Sequence, residues 1–221
     1  MGRCVIINNE NFTTGSSKRL GTDVDAASAK KIFEELGYKV NSKKDHKENS
    51  SFVCVILSHG NQKGIFATDE LVELDSLTEC LKGNKCPDLI GKPKLFFVQA
   101  CRGEKTDGGV DIKEEDGVDA TLIVESESKS LPVEADFLYA YSTPPGFYAW
   151  RSNSDGSWFI QALCEYLRKY KDLELMDIMT RVSHKVACHK RSQSKNNADL
   201  HLKKVVPCIT SMLTKDWYFT E

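Results

Sequence analysis

Leu95-Phe96-Phe97-Val98-Gln99-Ala100-Cys101-Arg102-Gly103 is the stretch on which the fold turns. Its four leading apolar side chains have no helical spacing and no polar alternation, the signature of a short strand buried on both faces. The apolar run stops at Val98, and a cysteine beside small and charged residues follows almost at once. A second stretch has the same design, for Val53-Cys54-Val55-Ile56-Leu57 runs into Ser58-His59-Gly60. Each run therefore places a reactive side chain just past the carboxyl end of a buried strand. In open α/β sheets that edge is the ligand crevice, so His59 and Cys101 can meet there although they stand 42 positions apart.

Further runs of strand length lie at Cys4 to Ile7, Phe137 to Tyr141 and Val205 to Met212. Between them the period changes. Ala29, Ile32, Phe33 and Leu36 keep the i, i+3, i+4, i+7 spacing of one buried helix face. Phe159, Ala162, Leu163 and Tyr166 repeat it, as do Leu175, Ile178, Met179, Val182 and Val186. The alternation predicts an α/β fold, with a mostly parallel central sheet flanked by helices on both sides. At 221 residues, 40% hydrophobic and 28% charged, the chain is long enough for one large core and ordinary in composition. No apolar run approaches the roughly 18 residues that cross a bilayer. A net charge of −2 gives no reason to expect a nucleic-acid or membrane partner.

That near-neutral total hides a division. Residues 104–130 hold nine acids and three lysines, a net charge of −6, which leaves +4 on the rest. Twenty-seven residues without usable periodicity are unusual inside a domain, and such segments serve a function or act as linkers. The expected organisation is residues 1–103, an acidic tether at 104–130, and residues 131–221. The basic stretch Lys190 to Lys204 reads as a surface loop.

Eight cysteines would allow four disulfides, but they are scattered, several sit in apolar runs, and no signal peptide is evident. Buried free thiols in a reducing compartment are expected. The chain has no Cys-x-x-Cys pair, and His184, Cys188 and His189 read as an ordinary helix surface, so no metal site and no cofactor are expected.

A thiol of ordinary acidity is only about 7% thiolate near neutral pH, and an adjacent imidazole or backbone dipole raises that fraction. Glycines beside both residues, Gly60 and Gly103, free the backbone to turn and leave amides able to face an oxyanion. Taken singly, a strand-end histidine is more often a capping residue and a lone cysteine a small buried hydrophobe. Their paired placement and the flanking words favour chemistry.

Gln99-Ala100-Cys101-Arg102-Gly103, with Ser58-His59-Gly60 upstream, resembles the active-site words of the caspases. Gly21-Thr22-Asp23-Val24-Asp25, Gly91-Lys92-Pro93-Lys94, Ala135-Asp136-Phe137-Leu138, Gly156-Ser157-Trp158-Phe159 and Pro207-Cys208 are similar to caspase segments in the same order. The wording around Pro132 to Tyr141 and Ser211 to Lys215 is most similar to the executioner caspases of apoptosis.

The resemblance implies an aspartate-specific cysteine endopeptidase. Cys101 is then the nucleophile and His59 the acid-base group. The backbone N–H groups of Gly60 and Cys101 form the oxyanion hole, and a carbonyl near Ser17 stands in for an acidic third member. Arg19, Arg151 and Gln99 receive the substrate aspartate. Arg102 supports the site from beside Cys101. Tyr148, Trp150 and Trp158 wall the neighbouring subsites, with a preference for acid-x-Val-Asp. The tether becomes an intersubunit linker cut after Asp119, or secondarily after Asp116, between a large-subunit part (1–103) and a small-subunit part (131–221). Implied partners are protein substrates with exposed aspartates, an upstream activating protease and a second copy of the chain, paired through Val205 to Met212. The implied location is the cytoplasm, with the nucleus after activation.

Two departures stand out. Only 11 residues separate Val40 from Phe52, where relatives carry a further element, so the segment is either trimmed or incompletely represented. The Lys190 to Lys204 loop has no aromatic residue, which leaves the fourth substrate position open. Two competing readings remain: a catalytically dead caspase-like interaction module, which need not keep Cys101, His59, Arg19 and Arg151 together, and a related protease cutting after Arg or Lys, which would need acids where the arginines stand.

Overall fold

All side chains of Phe52–Leu57 and Lys94–Gln99 are buried, and these runs are adjacent central strands. The computed structural model describes residues 1–41, 45–109, 131–194 and 198–220. In chain order its strands and helices are β1 (Arg3–Asn8), α1 (Thr22–Glu35), β2 (Lys39–Val40), β3 (Phe52–Leu57), β4 (Ile65–Phe66), β5 (Leu71–Val72), α2 (Leu74–Thr78), β6 (Lys94–Gln99), β7 (Phe137–Tyr141), β8 (Arg151–Ser152), β9 (Gly156–Ser157), α3 (Trp158–Lys169), α4 (Leu175–His189) and β10 (Cys208–Ser211). The described residues form a six-stranded sheet in the order β10-β7-β6-β3-β1-β2. Its pairs are parallel except for β10, which runs antiparallel to β7 at one edge.

Alternate strand residues feed two cores. Val53, Val55, Leu57, Leu95, Phe97, Leu138 and Ala140 face α1, α3 and α4, whose apolar stripes are the ones read from the sequence. The helix starts are locally encoded: the Ser157 side chain accepts from the Ile160 N–H at α3, and Glu174 accepts from the Met176 and Asp177 N–H groups at α4. Phe52, Cys54, Ile56, Phe96, Val98, Phe137 and Tyr139 face the other way. Among the described residues that side carries only the five-residue α2, short 3-10 turns and loops, so the sheet is flanked by helices unequally. On this side His46, between β2 and β3, packs its ring edge-on against Phe52.

Two expectations need correction. The strand expected over Val205 to Met212 spans only Cys208–Ser211, because Pro207 has no N–H to give to a ladder. All eight cysteines are free, but burial is not general: Cys4, Cys54 and Cys164 are buried, whereas Cys80 and Cys188 are exposed and the rest lie between. The two-residue pairs β4–β5 and β8–β9 had no counterpart in the sequence reading.

Candidate active site

Sheet register brings the reactive residues together. In the parallel pair of β3 and β6, Leu57 stands opposite Gln99, and His59 and Cys101 each lie two residues beyond that pair. Neighbouring strands run about 4.8 Å apart, so the two strand extensions leave the sheet side by side and in phase. Gly60 permits their close approach: a Cβ there would come within 2.7 Å of the Cys101 carbonyl oxygen. The bridge between Gly60 and Ile65 uses the Phe66 N–H to the His59 oxygen and the Asn61 N–H to the Gly64 oxygen. Gly60's own N–H stays outside that pattern. Neither it nor the Cys101 N–H donates a hydrogen bond among the described residues, so both amides are left for an incoming oxygen.

His59 Nε2 lies 2.7 Å from the Ser17 carbonyl oxygen. A carbonyl only accepts, so Nε2 carries the proton and Nδ1 keeps its lone pair. The Phe12 ring packs against the imidazole with centroids 4.9 Å apart. Burial is the largest influence on His59 and lowers its pKa; the charges of Arg19 and Arg151 push the same way and the Ser17 bond opposes them. Burial also raises the Cys101 thiol, against the Ala149 amide and both arginines. The resting pair is thus displaced toward neutral thiol and neutral imidazole. Cys101 is held against the backbone of Ala149, whose N–H donates to Sγ over 3.4 Å and whose oxygen accepts from the thiol over 3.9 Å.

The cavity beside this thiol has a volume of about 150 Å³, and Arg19, Gln99, Arg151, Tyr148 and Trp150 line it together with His59 and Cys101. Arg19 is 1% exposed. Its Nη1 donates to the Asn9 oxygen at 3.2 Å and the Thr22 hydroxyl at 2.6 Å, while its buried Nε has no partner. Arg151 Nε donates to the Leu20 oxygen at 2.8 Å. No ion pair engages either guanidinium among the described residues. Burial and then the Arg151 charge push Arg19 down to about 10. Gln99, 2% exposed, also has a buried oxygen, Oε1, without a partner. Two cations around one small cavity make a receptor for a carboxylate, to which the Gln99 side chain can add only its Nε2 donor.

Sequence reasoning missed the buried Asp25, which accepts from the Ser157 N–H at 2.9 Å and from Gln161 Nε2 at 2.8 Å. Its charge supports both arginines electrostatically. An acid in the first turn of a helix is an ordinary complement to the helix dipole, so Asp25 carries no distinguishing signal by itself. Trp158 does not line the small cavity. It stacks behind Trp150, with centroids 5.7 Å apart, and faces an adjoining cavity. The Arg102 guanidinium lies over the Tyr141 ring at 3.9 Å. Asp116 and Asp119 fall outside the described residues. No cluster of three or more His, Cys, Asp or Glu able to hold a metal occurs among the described residues, and no helix there is long and apolar enough to cross a membrane.

Comparison with known proteins agrees with this arrangement. The sequence model of the family described as "Caspase domain" matches residues 1–218. The chain is 49% identical to Caspase-3 of Mus musculus over 239 aligned residues, covering 99% of this chain and 84% of that protein. Caspase-3 of Oryctolagus cuniculus is 48% identical with the same coverage. Among solved structures, Caspase-1 from Spodoptera frugiperda superposes with a TM-score of 0.88 at 37% identity, covering 99% of this chain and 91% of that one. With a thiol, an imidazole and free amides gathered at one sheet edge and the family matched nearly end to end, the chain belongs to the caspases and is a cysteine-type endopeptidase.

Proposed function

We propose that this caspase is an executioner of apoptosis that cleaves peptide bonds after aspartate, favours acid-x-Val-Asp sequences, and is switched on by a cut in its own linker. The observation that carries the specificity is the pair Arg19 and Arg151, which share the Cys101 cavity with no acid paired to either among the described residues. A carboxylate seated there regains the charge-assisted bonds it loses from water. A neutral side chain leaves both cations unpaired and is rejected by about 10⁴-fold.

In the proposed reaction, Cys101 Sγ attacks the carbonyl carbon after aspartate while its proton passes to His59 Nδ1. The electron pair of the C=O bond moves to oxygen, where the Gly60 and Cys101 amides receive the oxyanion. Collapse breaks the C–N bond, and the imidazolium returns its proton to the leaving amine. The thioester left on Cys101 is hydrolysed by a water that His59 deprotonates, releasing the acid and restoring the thiol.

Support for control by the linker comes from its first residues. Lys105 pairs with Phe147 and Asp107 with Lys204, so the linker begins attached to both loops that border the cavity. A cut after Asp119, or failing that Asp116, frees its far end. The free edge of β10 offers a surface for sheet pairing between two copies. The expected setting is the cytoplasm, with an upstream protease as activator and nuclear entry afterwards.

Purified protein is expected to process itself into fragments of 119 and 102 residues on a denaturing gel and to cleave an acid-x-Val-Asp peptide. Cys101→Ala is expected to remain folded and do neither. Full peptidase activity in that variant overturns the assignment.

A further inference from the structure

Both guanidiniums of the Cys101 cavity are fastened to the same turn of one helix. Thr22 and Asp25 stand three residues apart in the first turn of α1, so they share a face, and both are fully buried. Arg19 is held directly. The Thr22 hydroxyl accepts from its Nη1 at 2.6 Å and donates its own proton to Asn8 Oδ1 at 2.6 Å.

Arg151 is held at one remove. It lies on β8 opposite Ser157 of β9, and Ser157 turns its N–H to Asp25, 2.9 and 3.0 Å from the two carboxylate oxygens. Gln161 of α3 donates from Nε2 to Oδ1 of the same carboxylate at 2.8 Å. Gly156 leaves the room for this, since a Cβ there would stand 2.3 Å from that oxygen. The bond from Arg151 Nε to the Leu20 oxygen then closes the circuit on the residue next to Arg19. Asp25 makes no ion pair among the described residues, so its direct partners are neutral N–H donors. A buried carboxylate without a paired cation is a costly way to join two helices. What it supplies is two acceptor oxygens and no donor, which draw Ser157 and Gln161 to one group; an asparagine would present an NH2 to one of them.

We propose that Asp25, together with Thr22, is a positioning residue: the first turn of α1 sets the separation of the Arg19 and Arg151 guanidiniums and so the fit of the carboxylate they receive. The proposal rests on the aspartate-directed reading above. Asp25 does not line the Cys101 cavity and acts on Arg151 through Ser157. Cys101 and His59 follow β6 and β3 and stand outside this circuit, so its loss weakens the hold on substrate and spares the chemical step.

The test uses the linker-cut full chain and an acid-x-Val-Asp peptide, with intact sites counted by saturation with a cysteine-directed peptide inhibitor. Asp25→Asn is expected to raise KM about tenfold, the scale of one lost hydrogen bond to a charged group, with kcat per intact site held within about twofold. Thr22→Val keeps the shape and removes the acceptor for Arg19, and should raise KM in the same way. Thr22→Ser restores the hydroxyl and should return KM to near its native value. A merely structural role would lower the count of intact sites and leave KM unmoved, and that result in Asp25→Asn overturns the proposal. Should Asp25→Asn not fold, an unmoved KM in Thr22→Val overturns it alone. If the unsubstituted protein cuts no aspartate peptide but cuts one with a different residue before the scissile bond, the aspartate reading itself fails and this proposal falls with it.

Discussion

At the scale of single residues, the proposed chemistry depends on groups that burial displaces toward their neutral forms. In the proposed reaction His59 acts as a base only when unprotonated, and its pKa is displaced downward, chiefly by burial. The acid limb of kcat/KM is therefore expected at a lower pH than for a free imidazole, because the neutral form persists further as pH falls. Part of that burial is the Phe12 ring. Phe12→Ala should admit water to the imidazole, raise its pKa and move the acid limb upward, while Phe12→Leu should retain much of the native profile. A pH–rate profile that stays in place for Phe12→Ala would show that the ring does not tune the imidazole. Several participants at this scale have no letter in the sequence. The Ser17 oxygen and the Ala149 amide are backbone atoms, present at nearly every position; the first was indicated only through the family resemblance, and the second only by the folded chain. Cys101 and His59 were legible because each ends an apolar run, and Asp25 was not, because acids are common where helices begin.

At the scale of elements, the parts with a long repeat were the parts that could be read. The stripes of α1, α3 and α4 and the continuous runs of β3 and β6 specify themselves through burial. By contrast, β8 and β9 are two residues each and exist only because they pair with each other. Yet β8 carries Arg151, and its approach to Arg19 depends on Gly21. That glycine has φ +81°, and a Cβ on it would stand 2.4 Å from the Ser152 carbonyl oxygen. Gly21→Ala should push the Arg19 turn away from β8, with left-handed strain of about 1 kcal/mol added. The expected result is a fall of at least tenfold in kcat/KM for aspartate peptides, with a melting temperature only a few degrees lower. Equal kinetics in the two proteins would mean that the arginines do not need this contact.

At the scale of the whole molecule, the two parts of the chain are not separate bodies but contributors to one sheet and one core. Strands β1, β2, β3 and β6 precede the acidic segment, β7 and β10 follow it, and β6 pairs with β7 over five residues. Helices α3 and α4 from the later part share a core with α1 and with strands of the earlier part. Lys82 adds a 2.7 Å ion pair to Glu134. Fragments cut within the linker are therefore expected to co-migrate in native size exclusion and to separate only in denaturant. Dissociation in native buffer would contradict a shared core. This interleaving explains why 221 residues with a −6 segment still read as one domain.

The pairing of Leu57 with Gln99 has a further consequence. The separation between the Cys101 thiol and the His59 imidazole is set by strand alignment and not by how much chain lies between them. Loops around the sheet can then lengthen or shorten freely, while a slip of one residue in β3 against β6 would shift the thiol by about 3.3 Å and turn it to the opposite face. For this chemistry, loop length is a tolerant variable and alignment is not.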